Sequence, residues 1–284
     1  MQKTILVTGG AGFIGSHLCE RLMREGHRVI SLDNYFTGTK DNHIEGVEYI
    51  IGDTRDIENH LKEVPDLLYH LGEYPRVEQS FVDVEIVLRY NTQGTQAVLE
   101  FCRKNGVKLL YAGSSTKFAD GGIGRDQSPY AWTKASNTEL VRNYGEWFGL
   151  AYAITYFYNV YGPRERGDSK SGSLIGIFKE LHDSGKKLNV RLPGTQKRNF
   201  THVLDIVDGL VLVGEKGEGD EYGLGHSDAY SVLEVAQMFG GEIDFIPDRP
   251  GNRSNSVVDV RRATLELGWK TTRNLPMYIK SITS

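Results

Sequence analysis

The run Thr8-Gly9-Gly10-Ala11-Gly12-Phe13-Ile14-Gly15 constrains this chain more than any other segment. It follows an apolar, β-branched stretch at residues 5–7 and leads into residues 15–25, whose apolar positions recur at helical spacing. Glycine allows the tight turn from strand to helix and lets backbone come close where a Cβ would intrude. The same alternation continues. Residues 28–32, 47–51, 67–71, 108–111 and 153–157 read as short strands, while 87–105 and 131–148 read as long helices. Strands alternating with helices predict an α/β fold, a doubly wound parallel sheet with helices on both faces. The second half changes character. Residues 163–172 are polar and rich in turn formers, 178–184 look helical, 188–192 strand-like and 203–213 helical, and a small α/β lobe begins near residue 227. We therefore expect a main domain over 1–160, with 198–226 returning to it. A smaller lobe should come from 161–197 and 227–284.

Composition narrows the classes. The chain has 284 residues, with 39% hydrophobic and 25% charged, ordinary values for a globular protein. A net charge of −4 gives no footprint for nucleic acid or an anionic membrane. Two cysteines, Cys19 and Cys102, make no disulfide framework, and no Cys/His group has zinc spacing, so no metal is expected. With no signal peptide and no segment approaching ~20 apolar residues, a cytoplasmic setting is expected.

A glycine turn that follows a strand and opens a helix suits a dinucleotide pyrophosphate, because the helix start offers free N–H groups and positive dipole. Asp33 follows at the end of the second strand, where a carboxylate accepts ribose hydroxyls and repels a 2′-phosphate; this favours NAD over NADP. Asp53, in Gly52-Asp53-Thr54, ends the third strand and is expected to accept the adenine amino group, although such a residue alone would read as a solvated turn aspartate. Tyr130 and Lys134, in Tyr130-Ala131-Trp132-Thr133-Lys134, are spaced to share one helix face. A phenol ionises near pH ~10, and a neighbouring ammonium favours the phenolate. Such a pair can take the proton of a sugar hydroxyl as hydride leaves for a nicotinamide. An isolated match of this kind is weak; this one follows the fifth strand, where the ligands of open α/β sheets gather. Ser114, just past that strand, can hold the substrate oxygen and shuttle its proton.

Together these pieces resemble the extended short-chain dehydrogenase/reductase family, in its NAD-dependent sugar epimerase/dehydratase branch. The resemblance rests on TGGAGFIGSHL, Asp33-Asn34, Gly52-Asp53, His70-Leu71-Gly72, Asn91-Thr92-Gln93-Gly94-Thr95, GSSTKF, SPYAWTK, YNVYGPR, KRNFTHVLD and RPGN, which span nearly the whole chain. It implies a Rossmann-type sheet with a smaller C-terminal substrate lobe. It implies NAD held by Gly9, Gly12, Phe13, Ile14, Gly15, Asp33, Asn34, Gly38, Asp53, Thr54, Leu71 and Gly72. Ser114, Tyr130 and Lys134 would be the catalytic trio, with Lys134 also holding the nicotinamide ribose. A nucleotide-sugar substrate, UDP-linked by resemblance, would be bound by Asn159, Leu174, Arg198 and Arg249; without the family, the two arginines would read as surface charges. The helices at 87–105 and 131–148 resemble a pair that forms a four-helix homodimer interface in the family. Gly72-Glu73-Tyr74-Pro75, the run at 119–124 and Asn252 depart from the branch's usual pattern.

The branch performs several reactions. Its dehydratases carry Asp-Glu after the catalytic hydroxyl and its decarboxylases carry Glu two places after it. Here those places hold Ser115 and Thr116, neither of which can serve as a carboxylate. What remains is removal of hydride, turning of the ketosugar and return of hydride to its other face, which is epimerisation, most often at C4. Ser256 falls where a bulky residue can narrow the sugar pocket, so the N-acetylhexosamine pair is expected to be accepted beside UDP-glucose and UDP-galactose. A net reductase or dehydrogenase on the same scaffold, a dehydratase and a non-catalytic NAD-binding regulator are the alternatives.

Overall fold

Strands β1 (Thr4–Thr8), β2 (Arg28–Asp33), β3 (Glu48–Ile51), β4 (Leu67–His70), β5 (Lys108–Ser114) and β6 (Tyr152–Phe157) build one sheet, with Gly219–Leu224 as its far edge. The computed structural model describes residues 1–168, 172–247 and 258–284. The strand order is Gly219–Leu224, β6, β5, β4, β1, β2, β3, and all pairings are parallel. This is the expected Rossmann-type sheet. Its order reverses between β1 and β4, so the connections leaving those two strands diverge and open a crevice at their carboxyl ends.

Alternation along β1 fixes which core each side chain joins. Ile5 and Val7 pack on one face with Val207, Leu210 and Trp269, whereas Leu6 packs on the other with Val98, Leu99 and Val141. Both faces are covered, which is why the strands read as continuous apolar runs. A third cluster, with Phe178, Val190, Val235, Phe239 and Ile279, forms away from the sheet, around the parallel pair Leu188–Arg191 and Ile243–Ile246.

The helix expected over 131–148 spans Pro129–Phe148, and its ends are written locally. Ser128 accepts the Ala131 N–H at 3.0 Å, Pro129 starts the helix where no N–H is needed, and Gly149 closes it at φ 67°. The helix expected over 87–105 is broken in pitch. An α-turn at Val84–Val87 widens into a π-helical segment at Leu88–Gln93 and then tightens into Gly94–Asn105. Within the wide turns the Asn91 carboxamide is buried, accepting the Tyr74 N–H at 2.6 Å and donating to Thr133 Oγ1 at 3.0 Å. Helix Leu174–Asp183 begins four residues before the expected 178, because the residues ahead of it carry little helical signal of their own.

Two buried histidines make the fold acid-sensitive. His70 Nδ1 lies 2.7 Å from Thr8 Oγ1 and its Nε2 lies 3.0 Å from Thr95 Oγ1, and burial pushes its pKa down to about 4. His202 accepts the Leu204 N–H at the start of helix Val203–Lys216; burial, then Arg273, pushes it down to about 4 as well. An unfolded histidine titrates near ~6.5, so between that pH and about 4 the unfolded chain binds more protons than the folded one. Stability is therefore expected to fall as pH drops through this window. Urea unfolding across the window should show the loss, and His70→Gln should reduce its slope by about one proton. A pH-independent stability there would contradict it.

Candidate active site

The crevice at the sheet's reversal opens into a cavity of about 1020 Å³, bounded on one side by the carboxyl ends of the strands and on the other by the smaller lobe. Its floor is the glycine turn. Gly9 has φ +75°, and a Cβ there would lie 3.0 Å from the backbone of Gly72. Thr8 Oγ1 accepts the Gly72 N–H at 3.0 Å, which draws the end of β1 and the loop after β4 together. A Cβ on Gly15 would overlap the Gly9 carbonyl. Helix Phe13–Arg24 starts with no capping side chain and no acidic residue in its first turn, so its positive end is uncompensated. Gly12, Phe13, Ile14 and Gly15 line the cavity there, a cradle that suits a pyrophosphate.

Asp33, at the end of β2, also lines the cavity, and its carboxylate accepts the Ala11 N–H at 2.9 Å and the Tyr35 N–H at 2.8 Å. Burial raises its pKa, against the pull of those two bonds. Gly38 stands behind it; a Cβ there would sit 3.0 Å from Asp33 Oδ1. Asn34, Thr54, Leu71 and Gly72 line the cavity as expected. Asp53 does not. Its Oδ1 accepts the Arg55 N–H at 2.9 Å and Nε–H at 3.0 Å, and its Oδ2 accepts from Nη2 at 3.0 Å, so the carboxylate closes a turn while its neighbours Gly52 and Thr54 face the cavity.

At the other end, the Tyr130 hydroxyl donates to Ser114 Oγ at 3.3 Å, and Thr116 Oγ1 donates to the same oxygen at 2.9 Å. With its oxygen so occupied, Ser114 keeps its own proton to donate. Lys134 lies a turn further along the Tyr130 helix, and its ammonium is bonded to Glu73 and the Ala112 carbonyl. Asn159, Leu174 and Arg198 line the lobe side; Asn159 Nδ2 donates to the Asn199 carbonyl at 2.8 Å. Arg249 and Ser256 lie outside the described residues.

Ionisable groups that sequence reasoning did not single out also line the cavity, among them Glu73, Glu165 and Arg76. Glu73 stands in a stretch noted only as a departure from pattern, and its signal was a lone acid just past a buried strand end. Glu165, in the loop after YNVYGPR, is pushed by burial up to about 8, against hydrogen bonds from Gly162 and Gly176. Arg76 donates to the Gly172 carbonyl at 3.4 Å, its buried Nε has no hydrogen-bond partner among the described residues, and burial lowers its pKa. Among the described residues no helix is long and apolar enough to cross a membrane.

The uncapped helix start, the glycine cradle and the Asp33 carboxylate fit a dinucleotide, and the comparisons agree. Residues 5–225 match the family described as NAD dependent epimerase/dehydratase. UDP-glucuronic acid decarboxylase 1 of Xenopus tropicalis is 31% identical over 295 residues, covering 95% of this chain and 68% of the relative. An uncharacterized UDP-glucose epimerase of Bacillus subtilis (strain 168) is 30% identical over 289 residues, covering 91% of this chain and 90% of the relative. Among solved structures, the UDP-glucose 4-epimerase of Thermus thermophilus in complex with NAD matches with a TM-score of 0.91 at 28% identity, covering 99% of this chain and 97% of that one. UDP-glucuronic acid 4-epimerase from Bacillus cereus, in complex with UDP-glucuronic acid and NAD, matches at 0.88 and 25%, covering 99% and 98%. The chain therefore belongs to the NAD dependent epimerase/dehydratase family, and its cofactor is NAD.

Proposed function

We propose that this chain is a sugar-nucleotide 4-epimerase acting on UDP-glucose and UDP-galactose, and on the corresponding N-acetylhexosamine pair. The observation that carries the reading is the Ser114–Tyr130 contact, flanked after Ser114 by Ser115 and Thr116. The hydroxyl pair can move one proton, while the flank supplies no carboxylate for eliminating water or expelling carbon dioxide. Gly9, Gly12, Phe13, Ile14 and Gly15 would cradle the pyrophosphate of NAD, Asp33 and Asn34 its adenosine ribose, and Lys134 its nicotinamide ribose. Bound there, NAD supplies the hydride acceptor and donor. Tyr130 takes the proton of the sugar 4-hydroxyl, and Ser114 holds that oxygen. Once the ketosugar has turned, Tyr130 returns the proton. Asn159 and Arg198, with Arg249, anchor the nucleotide diphosphate so that the sugar can rotate while the nucleotide stays in place.

The named relatives include enzymes of glucuronic acid, and Arg76 favours a second reading. A guanidinium in the cavity with an unpartnered Nε suits a substrate bearing a carboxylate. On this reading the substrate is UDP-glucuronic acid and the reaction is still epimerisation. The purified protein, given UDP-glucose, UDP-GlcNAc or UDP-glucuronic acid without added cofactor and followed by NMR, is expected to form the C4 epimer of its substrate. Loss of carbon dioxide from UDP-glucuronic acid, or formation of a 4-keto-6-deoxy sugar, would overturn the epimerase reading. Tyr130→Phe is expected to lower kcat by about 10²–10⁴-fold while NAD binding, measured by calorimetry, is kept.

The same proposal includes a homodimer formed through the helices at 87–105 and 131–148. Helix Pro129–Phe148 leaves Trp132, Trp147 and Phe148 exposed, large apolar groups that a partner helix would cover. Sedimentation is expected to give twice the chain mass; a monomer at all concentrations would remove the dimer.

A further inference from the structure

Beneath the Tyr130–Ser114 pair lies an ion pair whose acid, Glu73, the proposed reaction does not use. The Glu73 and Lys134 side chains are 4% and 6% exposed and bonded to each other. Glu73 Oε1 accepts from Asn137 Nδ2 at 2.8 Å, Thr95 Oγ1 at 2.9 Å and the Tyr111 hydroxyl at 3.1 Å. Those donors are themselves held: Asn137 also donates to the Asn91 carbonyl at 2.9 Å, and Thr95 lies 3.0 Å from His70 Nε2. Burial pushes the Glu73 carboxyl up, but Lys134, His70 and the surrounding donors together pull it below the ordinary carboxylate range. The carboxylate is thus charged, fixed and directed at one ammonium.

A buried ion pair is weak support for stability, because desolvating both charges offsets most of their attraction. Its position is the more informative feature. Glu73, Tyr130, Lys134 and Ser114 all line the cavity. Lys134 has three N–H donors, and Glu73 and the Ala112 carbonyl take two of them, leaving one for a ligand. The ammonium alone would place an unbalanced positive charge in that wall. Oxidised nicotinamide is a cation and reduced nicotinamide is neutral, so the net charge of the wall biases which form is held.

We infer that Glu73 is a positioning residue of the catalytic centre: its carboxylate fixes the Lys134 ammonium and cancels its charge, so that the site holds oxidised and reduced NAD in balance. The inference rests on NAD binding in this cavity but not on the identity of the sugar. An enzyme that returns its cofactor to the oxidised form in every cycle needs such a balance, since a wall favouring the reduced form would strand the ketosugar.

The test is calorimetric titration of the cofactor-stripped protein with NAD and, separately, with NADH. In Glu73→Gln the positive charge is left uncancelled, and the ratio of NAD to NADH affinity is expected to move on the order of tenfold toward NADH, the size of effect a unit charge exerts within one pocket. In the double variant Glu73→Gln/Lys134→Met the wall is neutral again, and the ratio is expected to return to within about twofold of the parent's. Equal weakening of both forms, or an unchanged ratio in Glu73→Gln, would show a purely structural ion pair and overturn the inference. If Glu73→Gln does not fold, the double variant decides: a parent-like ratio supports charge cancellation and a displaced one overturns it. Failure of the parent itself to bind either form would instead overturn the cofactor assignment beneath it.

Discussion

The hydroxyl of Thr8 joins the two strands between which the sheet changes direction. Thr8 Oγ1 lies 2.7 Å from His70 Nδ1 and accepts the Gly72 N–H at 3.0 Å, so the end of β1 is tied to the end of β4 where their connections part. The bonding pattern assigns the His70 proton to Nε2, since Thr8 gives its proton to Nδ1 and Thr95 gives its own to Glu73. A neutral His70 is therefore what lets Thr8 close the seam, and the depression of its pKa by burial keeps it neutral. Without the tie, Gly9 and Gly72 would lack the close approach that shapes the cavity floor.

The same histidine leads into the chemical end of the site. From His70 the bonds run through Thr95 to Glu73, and from Glu73 to Lys134, on the helix that carries Tyr130. One continuous polar chain thus links the glycine turn to the helix that carries Tyr130. Polar groups buried so deeply are costly unless each finds a partner. Here Thr95, Asn137 and Tyr111 supply partners for Glu73, and Ala112 and Glu73 supply them for Lys134. The π-helical segment at Leu88–Gln93 belongs to this arrangement, since Asn91 within it fixes Tyr74 and Thr133 on either side of the chain.

Much of this arrangement is legible in the sequence. The glycine turn, Asp33, Tyr130 and Lys134 each sit at a fixed offset from a strand end, and strand ends are legible because both faces of the sheet are buried. Helix Pro129–Phe148 announced its start through Ser128 and Pro129. What escaped depended on contacts between distant segments. Glu73 meets Asn137 and Lys134 more than sixty positions away, and nothing local marks that meeting. Asp53 read as a ligand-facing acid because it ends a strand, yet an arginine two places on took both of its oxygens. The pitch change at Leu88–Gln93 has no apolar signal of its own, since residues 91–96 are all polar or glycine.

Several carboxyl groups line the cavity, among them Asp33, Glu73, Glu78 and Glu165. Asp33 accepts two backbone N–H groups at the end of β2. Glu73 is charged but surrounded by donors and paired with Lys134, so it has no freedom to attack or to exchange a proton with a sugar. Burial raises Glu165 to about 8, against hydrogen bonds from Gly162 and Gly176. On the proposed reading the proton transfer belongs to Tyr130 and Ser114. Two hydroxyls sharing one proton suit a reaction that runs equally in both directions, as an epimerisation does, better than one that must expel a group from the sugar.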